Sequence, residues 1–147
     1  MDLYNLELLS KKINIASLHI IRENLEIEIL NTLAQSDISQ KVIFYGGTSL
    51  RLAYGSPRFS EDLDFLMIKK IPPKNLKNIL DQFIKENPNT KIKDFKNKQN
   101  TLFALLNFKT NLLKHPLNIK IEIAKRKDGI KYEFIPLSSP CSHLTPI

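Results

Sequence analysis

The segment YGGTSLRLAYGSPRFSEDLDF, Tyr45 to Phe65, sets two carboxylates, Asp62 and Asp64, at the start of an otherwise apolar run. That run continues as DLDFLMI, Asp62 to Ile68. A period of two puts Asp62, Asp64, Leu66 and Ile68 on one face of a strand and Leu63, Phe65 and Met67 on the other. Beyond the acids both faces are apolar, which predicts a central strand covered on both sides. Two ionised carboxylates on one face, about 7 Å apart along the strand, repel each other. Burying an unpaired charge costs roughly several kcal/mol. Either the acids stand at a solvated strand end, or a cation binds there.

Working upstream, KVIFY (Lys41–Tyr45) is a β-favouring run that stops at Gly46-Gly47. The spacing predicts a helix over SLRLAY, capped by Thr48 and ended by Gly55 and Pro57. Glycines at a strand-to-helix turn leave N–H groups bare, and the helix dipole there favours an anion. Thr48 and Ser49 add hydroxyls. The chain has four arginines, and two of them, Arg51 and Arg58, fall within this stretch. A planar donor fork suits phosphate, although either could instead pair with an acid such as Glu61. Ser60 is expected to order the loop before the strand.

Working downstream, NIKIEIAK (Asn118–Lys125) alternates cleanly, with Lys120, Glu122 and Ala124 on one face. Beside Asp62 and Asp64, such a strand presents Glu122 as a third acid. Three carboxylates from two rigid strands suit Mg²⁺, with positions left for water and phosphate. Two such ions would clamp both oxygens of a phosphoryl displacement. Lys120 either pairs with an acid or enters the site.

The remaining chain supplies the frame. Leu6 to Ser36 is helical in pattern, with Ile20, Ile21, Leu25, Ile27, Ile29, Leu30 and Leu33 as an apolar stripe and the charges opposite. PPKNLKNILDQFIKEN starts on prolines and reads as a helix. NTKIKDF and TLFALLNFK read as an antiparallel pair turning near Lys96–Asn100, KYEFIPL as a last strand, and residues 137–147 as a loop tail. The order predicts one α/β (α+β) domain over residues 1–147, with a mixed sheet flanked by helices.

Composition bounds the setting. Apolar residues at 42% and charged residues at 25% are those of a soluble globular chain. No apolar run is long enough to span a bilayer, and the N-terminus lacks a signal-peptide pattern. A single cysteine, Cys141, allows no intrachain disulfide, so a cytoplasmic setting is expected. Cys141 and His143 have no companions to complete a zinc set. The net charge of +7 suggests an anionic partner such as nucleic acid, or simply a lysine-decorated surface. The run KIKDFKNKQN carries the same two readings, an RNA track or a lysine-protected sheet edge.

Together, VIFYGGTSLRLAYGSPRFSEDLDF resembles the nucleotidyltransferase family that includes the AbiEii/AbiGii-type toxins of abortive-infection and type IV toxin–antitoxin systems. That family sits within the DNA polymerase β-like superfamily. Its pattern of an apolar strand, GGT-[AS]-L-R, then R-x-S-x-D-L-D-F falls on Gly46, Gly47, Thr48, Ser49, Leu50, Arg51, Arg58, Ser60, Asp62, Leu63, Asp64 and Phe65. The resemblance implies a nucleotidyltransferase fold that moves a nucleoside monophosphate from an NTP to an acceptor hydroxyl. It implies Mg²⁺ or Mn²⁺ on Asp62 and Asp64, with Glu122 as third acid where the family more often has Asp. Gly46, Gly47, Thr48, Ser49, Arg51, Arg58 and Ser60 would meet the nucleotide. Acceptors in the family include tRNA 3′ ends, other members modify proteins, and a cognate antitoxin is an expected partner.

Family members usually continue into helices that help hold the triphosphate, and this sequence stops where that portion would begin. The resemblance therefore also admits a complementary chain, or a truncated, non-catalytic domain that binds a partner protein or nucleotide. A metal-dependent nuclease is a third reading of the acids, but it leaves the Gly-Gly helix start unexplained.

Overall fold

The computed structural model describes residues 2–13, 15–57, 59–125 and 135–139. Helices α1 (Leu3–Ile13) and α2 (Ser17–Ala34) lead into strand β1 (Val42–Tyr45), helix α3 (Gly46–Tyr54) and strand β2 (Asp62–Met67). Helix α4 (Pro73–Glu86) precedes strands β3 (Thr90–Asn97), β4 (Thr101–Phe108) and β5 (Leu117–Lys125). The helical pattern over Leu6–Ser36 is thus two helices. Ser10 Oγ donates to the Ile15 carbonyl at 2.5 Å where the chain turns between them, a break the apolar periodicity does not mark. No helix among the described residues is long and apolar enough to cross a membrane.

The strands form one mixed sheet in the order β1-β2-β5-β4-β3. Only β2 and β5 run parallel among these pairs; β1–β2, β5–β4 and β4–β3 are antiparallel. Parallel neighbours need a long crossover, and here α4, β3 and β4 supply it. The class is the α/β arrangement with a mixed sheet that the sequence predicts.

Alternation decides what is buried. Leu63, Phe65 and Met67 join Ile119, Ile121, Ile123, Leu102, Ala104 and Leu106 in one core with the apolar faces of α2 and α4. The opposite face, bearing Asp62, Asp64, Leu66, Lys120, Glu122, Ala124, Phe103 and Leu105, is only half-buried. The expectation of a β2 covered on both sides is therefore corrected. Leu66 has Ile43 and Ala124 as its register neighbours, and among the described residues it is only half-buried.

Of the predicted last strand KYEFIPL, Lys131–Phe134 lie outside the described residues, and Ile135–Leu137 adopt no regular element. The Ser138 N–H instead donates to the Leu52 carbonyl of α3 at 3.0 Å. Cys141 and His143 also lie outside the described residues.

Candidate active site

Tyr45, the last residue of β1, is the register partner of Asp64. The chain therefore leaves the sheet beside that carboxylate and enters α3 at once. At Gly46 φ is +86°, and a Cβ built there would stand 2.8 Å from Asp64 Oδ2. Glycine is required on both counts, backbone region and close approach. At Gly47 a Cβ would meet Ser60 Cβ at 3.1 Å and its Oγ at 3.2 Å. The glycine pair is thus where α3 presses against the start of β2. It brings the unsatisfied N–H groups of a helix N-terminus next to Asp64. Gly55 ends α3 as expected, at φ +74°, with its N–H donating to the Arg51 carbonyl at 2.9 Å.

Parallel pairing of β2 with β5 sets Asp62 opposite Lys120 and Asp64 opposite Glu122. Adjacent strands lie about 4.8 Å apart, so the three acids and Lys120 share one patch of the half-buried face. Lys120 Nζ sits 3.4 Å from Asp62 Oδ2 and 3.7 Å from Glu122 Oε1. Partial burial, and then the charges of Asp62 and Glu122, push the Asp64 carboxyl above its usual range, with Lys120 opposing. For Lys120, burial works against the charged form, but the surrounding carboxylates prevail and raise its pKa.

The donor set fits a hard divalent cation: three carboxylates on two rigid strands, all reachable from solvent. Among the described residues, no three acidic, His or Cys side chains yet converge closely enough to hold an ion. The backbones are already set by strand register. The Lys120 ammonium stands beside two of them, Asp62 and Glu122.

The structure gives Arg51 and Thr48 partners that the sequence reading did not. Glu23 and Glu26, expected on the solvent face of α2, are only 1% and 2% exposed. Arg51, 8% exposed, donates through Nε to Glu23 Oε1 and through Nη2 to Oε2 at 3.2 Å. Its guanidinium also lies 3.7 Å from the centre of the Phe59 ring, which stacks on His19. Ser139 Oγ donates to Glu23 Oε2 at 2.7 Å. The fork expected to reach phosphate is thus closed on a buried carboxylate, and it ties α3 to α2.

Thr48 is buried and does not cap α3. Its Oγ1 lies 2.6 Å from the Asp62 carbonyl and 3.1 Å from Glu26 Oε2. Burial raises the Glu26 pKa to about 8, the Thr48 hydroxyl and Arg22 opposing the rise and Glu23 and Asp62 adding to it. Thr48 is a latch from α2 through α3 to the backbone of the acidic strand.

Ser49 Oγ donates to the Phe44 carbonyl at 3.4 Å, and Ser60 Oγ accepts from the Asp62 N–H at 3.5 Å, ordering the loop as expected. Arg58 lies outside the described residues. Glu23 and Glu26 were legible in principle. Ile20, Glu23, Ile27 and Leu30 repeat at helical spacing, as do Glu26, Ile29 and Leu33, so both acids lie on the apolar stripe.

Residues 28–146 match the family model of the nucleotidyl transferase AbiEii toxin of type IV toxin–antitoxin systems. Among solved structures, the chain is similar to JHP933 from Helicobacter pylori. The two share 28% identity and a TM-score of 0.59 over 79% of this chain and 47% of that one. A second H. pylori structure, provisionally named a nucleotidyltransferase, gives 28% identity and a TM-score of 0.56, over 75% and 46% of the respective chains. MenT4, a nucleotidyltransferase toxin of Mycobacterium tuberculosis H37Rv, shares the fold at 16% identity and a TM-score of 0.52, over 91% and 48%. The chain spans about half the length of the solved structures it matches. No curated protein matches it.

Proposed function

The chain belongs to the AbiEii nucleotidyl transferase toxin family, and on that premise we propose that it transfers a nucleoside monophosphate from an NTP to an acceptor hydroxyl, on RNA (tRNA included) or on protein. The observation that carries this reading is the strand register of Asp62, Asp64 and Glu122 beside the Gly46-Gly47 turn. Bare N–H groups and a cluster of acids meet there, which suits an anion together with its counter-ions.

Asp62 and Asp64 hold Mg²⁺ or Mn²⁺ in this proposal, and Glu122 completes the donor set. When bound, the ion supplies positive charge to the triphosphate and to the leaving pyrophosphate. The N–H groups of Gly46 and Gly47 receive the β- and γ-phosphates. Glu122 accepts the proton of the acceptor hydroxyl as its oxygen bonds to the α-phosphorus and the bond to pyrophosphate breaks. Arg58 is proposed as a further phosphate contact, whereas Arg51 and Thr48 act through the placement of α3. The proposed setting is cytoplasmic, with a cognate antitoxin or a complementary chain as protein partner.

The test incubates the chain with labelled NTPs, Mg²⁺ and total tRNA or lysate. Label should move into macromolecule, and Asp64→Asn should lower transfer by about 100-fold or more. If no label moves, even with the neighbouring gene's product added, the enzymatic reading falls. The Lys120 ammonium beside Asp62 and Glu122 favours one second reading, a non-catalytic domain that binds a partner or nucleotide. Calorimetry that finds NTP binding unchanged by Asp62→Ala and Asp64→Ala would support it.

A further inference from the structure

We propose that Lys120 is the resident counter-ion of the acidic cluster, so that a divalent cation enters by exchange, displacing the ammonium from between Asp62 and Glu122. The inference rests on the metal half of the function proposed above and adds to it a competing group within the chain.

Register carries the argument. Lys120 is the β5 partner of Asp62 and lies two residues from Glu122 on the same strand face, so its stem starts inside the cluster. Its Nζ stands 3.4 Å from Asp62 Oδ2 and 3.7 Å from Glu122 Oε1. The oxygens facing that ammonium are the hard donors a divalent ion would take. A single and a double positive charge cannot share them at contact distance without strong repulsion. Occupation is therefore one or the other.

The residue type suits exchange. Lysine is a compact charge on a flexible four-carbon stem, able to withdraw its head toward water while the stem stays on the sheet. At 32% exposure, Lys120 has solvent beside it to move into. An arginine there would clamp two carboxylates with a planar fork and give them up less readily. The arrangement also explains how the acids tolerate one another before any ion arrives.

Mn²⁺ alone, without nucleotide, is the probe, followed by calorimetry and by loss of the free-ion paramagnetic resonance signal. Lys120→Met and Lys120→Gln should each tighten Mn²⁺ binding by on the order of tenfold, and Lys120→Arg should weaken it. Adding Asp64→Asn to Lys120→Met should remove the gain. Melting curves give a second readout. Without metal both neutral variants should melt below wild type, and Mn²⁺ should raise their midpoints by more than it raises that of wild type.

If wild type binds Mn²⁺ but both neutral variants bind it equally or more weakly, the exchange is overturned and the metal site stands. If none of the proteins binds Mn²⁺, with or without NTP, the metal site falls and the exchange with it.

Discussion

Gly46 and Gly55 both hold positive φ, at +86° and +74°, but they face different surroundings. A Cβ on Gly55 would meet nothing within 4 Å, while one on Gly46 would strike the Asp64 carboxylate. Alanine at either position carries backbone strain of about 1–2 kcal/mol, so both Gly46→Ala and Gly55→Ala should lower the melting point, Gly46→Ala by the more because its Cβ also meets Asp64. Only Gly46→Ala should also lower nucleotide transfer, by about tenfold or more, because an ångström-scale misplacement of a reacting group is that costly. Melting curves and label transfer on the two variants check this, and equal activities would show that the approach to Asp64 is immaterial. The sequence marks the glycine pair as a turn with bare N–H groups. It does not show which side chain the turn presses against, since that depends on β1 pairing with β2.

At the scale of elements, α3 is fixed by two contacts from α2, Glu23 to Arg51 and Glu26 to Thr48. The sequence leaves Arg51 open to phosphate or to an acid, because a guanidinium fork serves phosphate and carboxylate alike. Its choice of Glu23 is made by the tertiary fold, which brings together two residues 28 apart in the chain. Removing one partner of a buried ion pair strands the other, at about 3–5 kcal/mol. Arg51→Leu should therefore lower unfolding stability by that amount in urea titrations. The double variant Glu23→Leu/Arg51→Leu should recover most of the loss, since apolar replacement of both partners leaves no orphaned charge. If the double variant is as unstable as the sum of the singles, the pair is not acting as a unit.

At the scale of the whole molecule, Glu26 makes stability depend on pH. Burial lifts its pKa from 4.5 to about 8. The folded protein thus keeps a proton that the unfolded chain releases. Its contribution is full below about pH 4.5 and is lost as pH rises toward about 8, at up to about 1.4 kcal/mol per pH unit. Asp64 and Glu28, also raised by burial, act in the same direction. Glu26→Gln keeps a hydrogen-bond partner for Thr48 and removes the titration, so its unfolding free energy between about pH 5 and about pH 8 should fall less steeply than that of wild type. Parallel slopes in urea would mean that Glu26 is not holding that proton. Strands β1 to β5, helices α3 and α4 and the shared face of Asp62 and Asp64 were legible in the chain, because periods of two and near 3.6 are local properties of the backbone, whereas the break between α1 and α2 was not. The resemblance of Val42–Phe65 to a nucleotidyltransferase pattern was legible because a motif is a contiguous run of residue types. Only tertiary structure decided that β5 lies parallel to β2 with Glu122 opposite Asp64, that Lys120 stands among the acids, and that Arg51 and Thr48 turn inward. These are outcomes of which surfaces meet, and a linear chain leaves the partner of each charge open until packing chooses it.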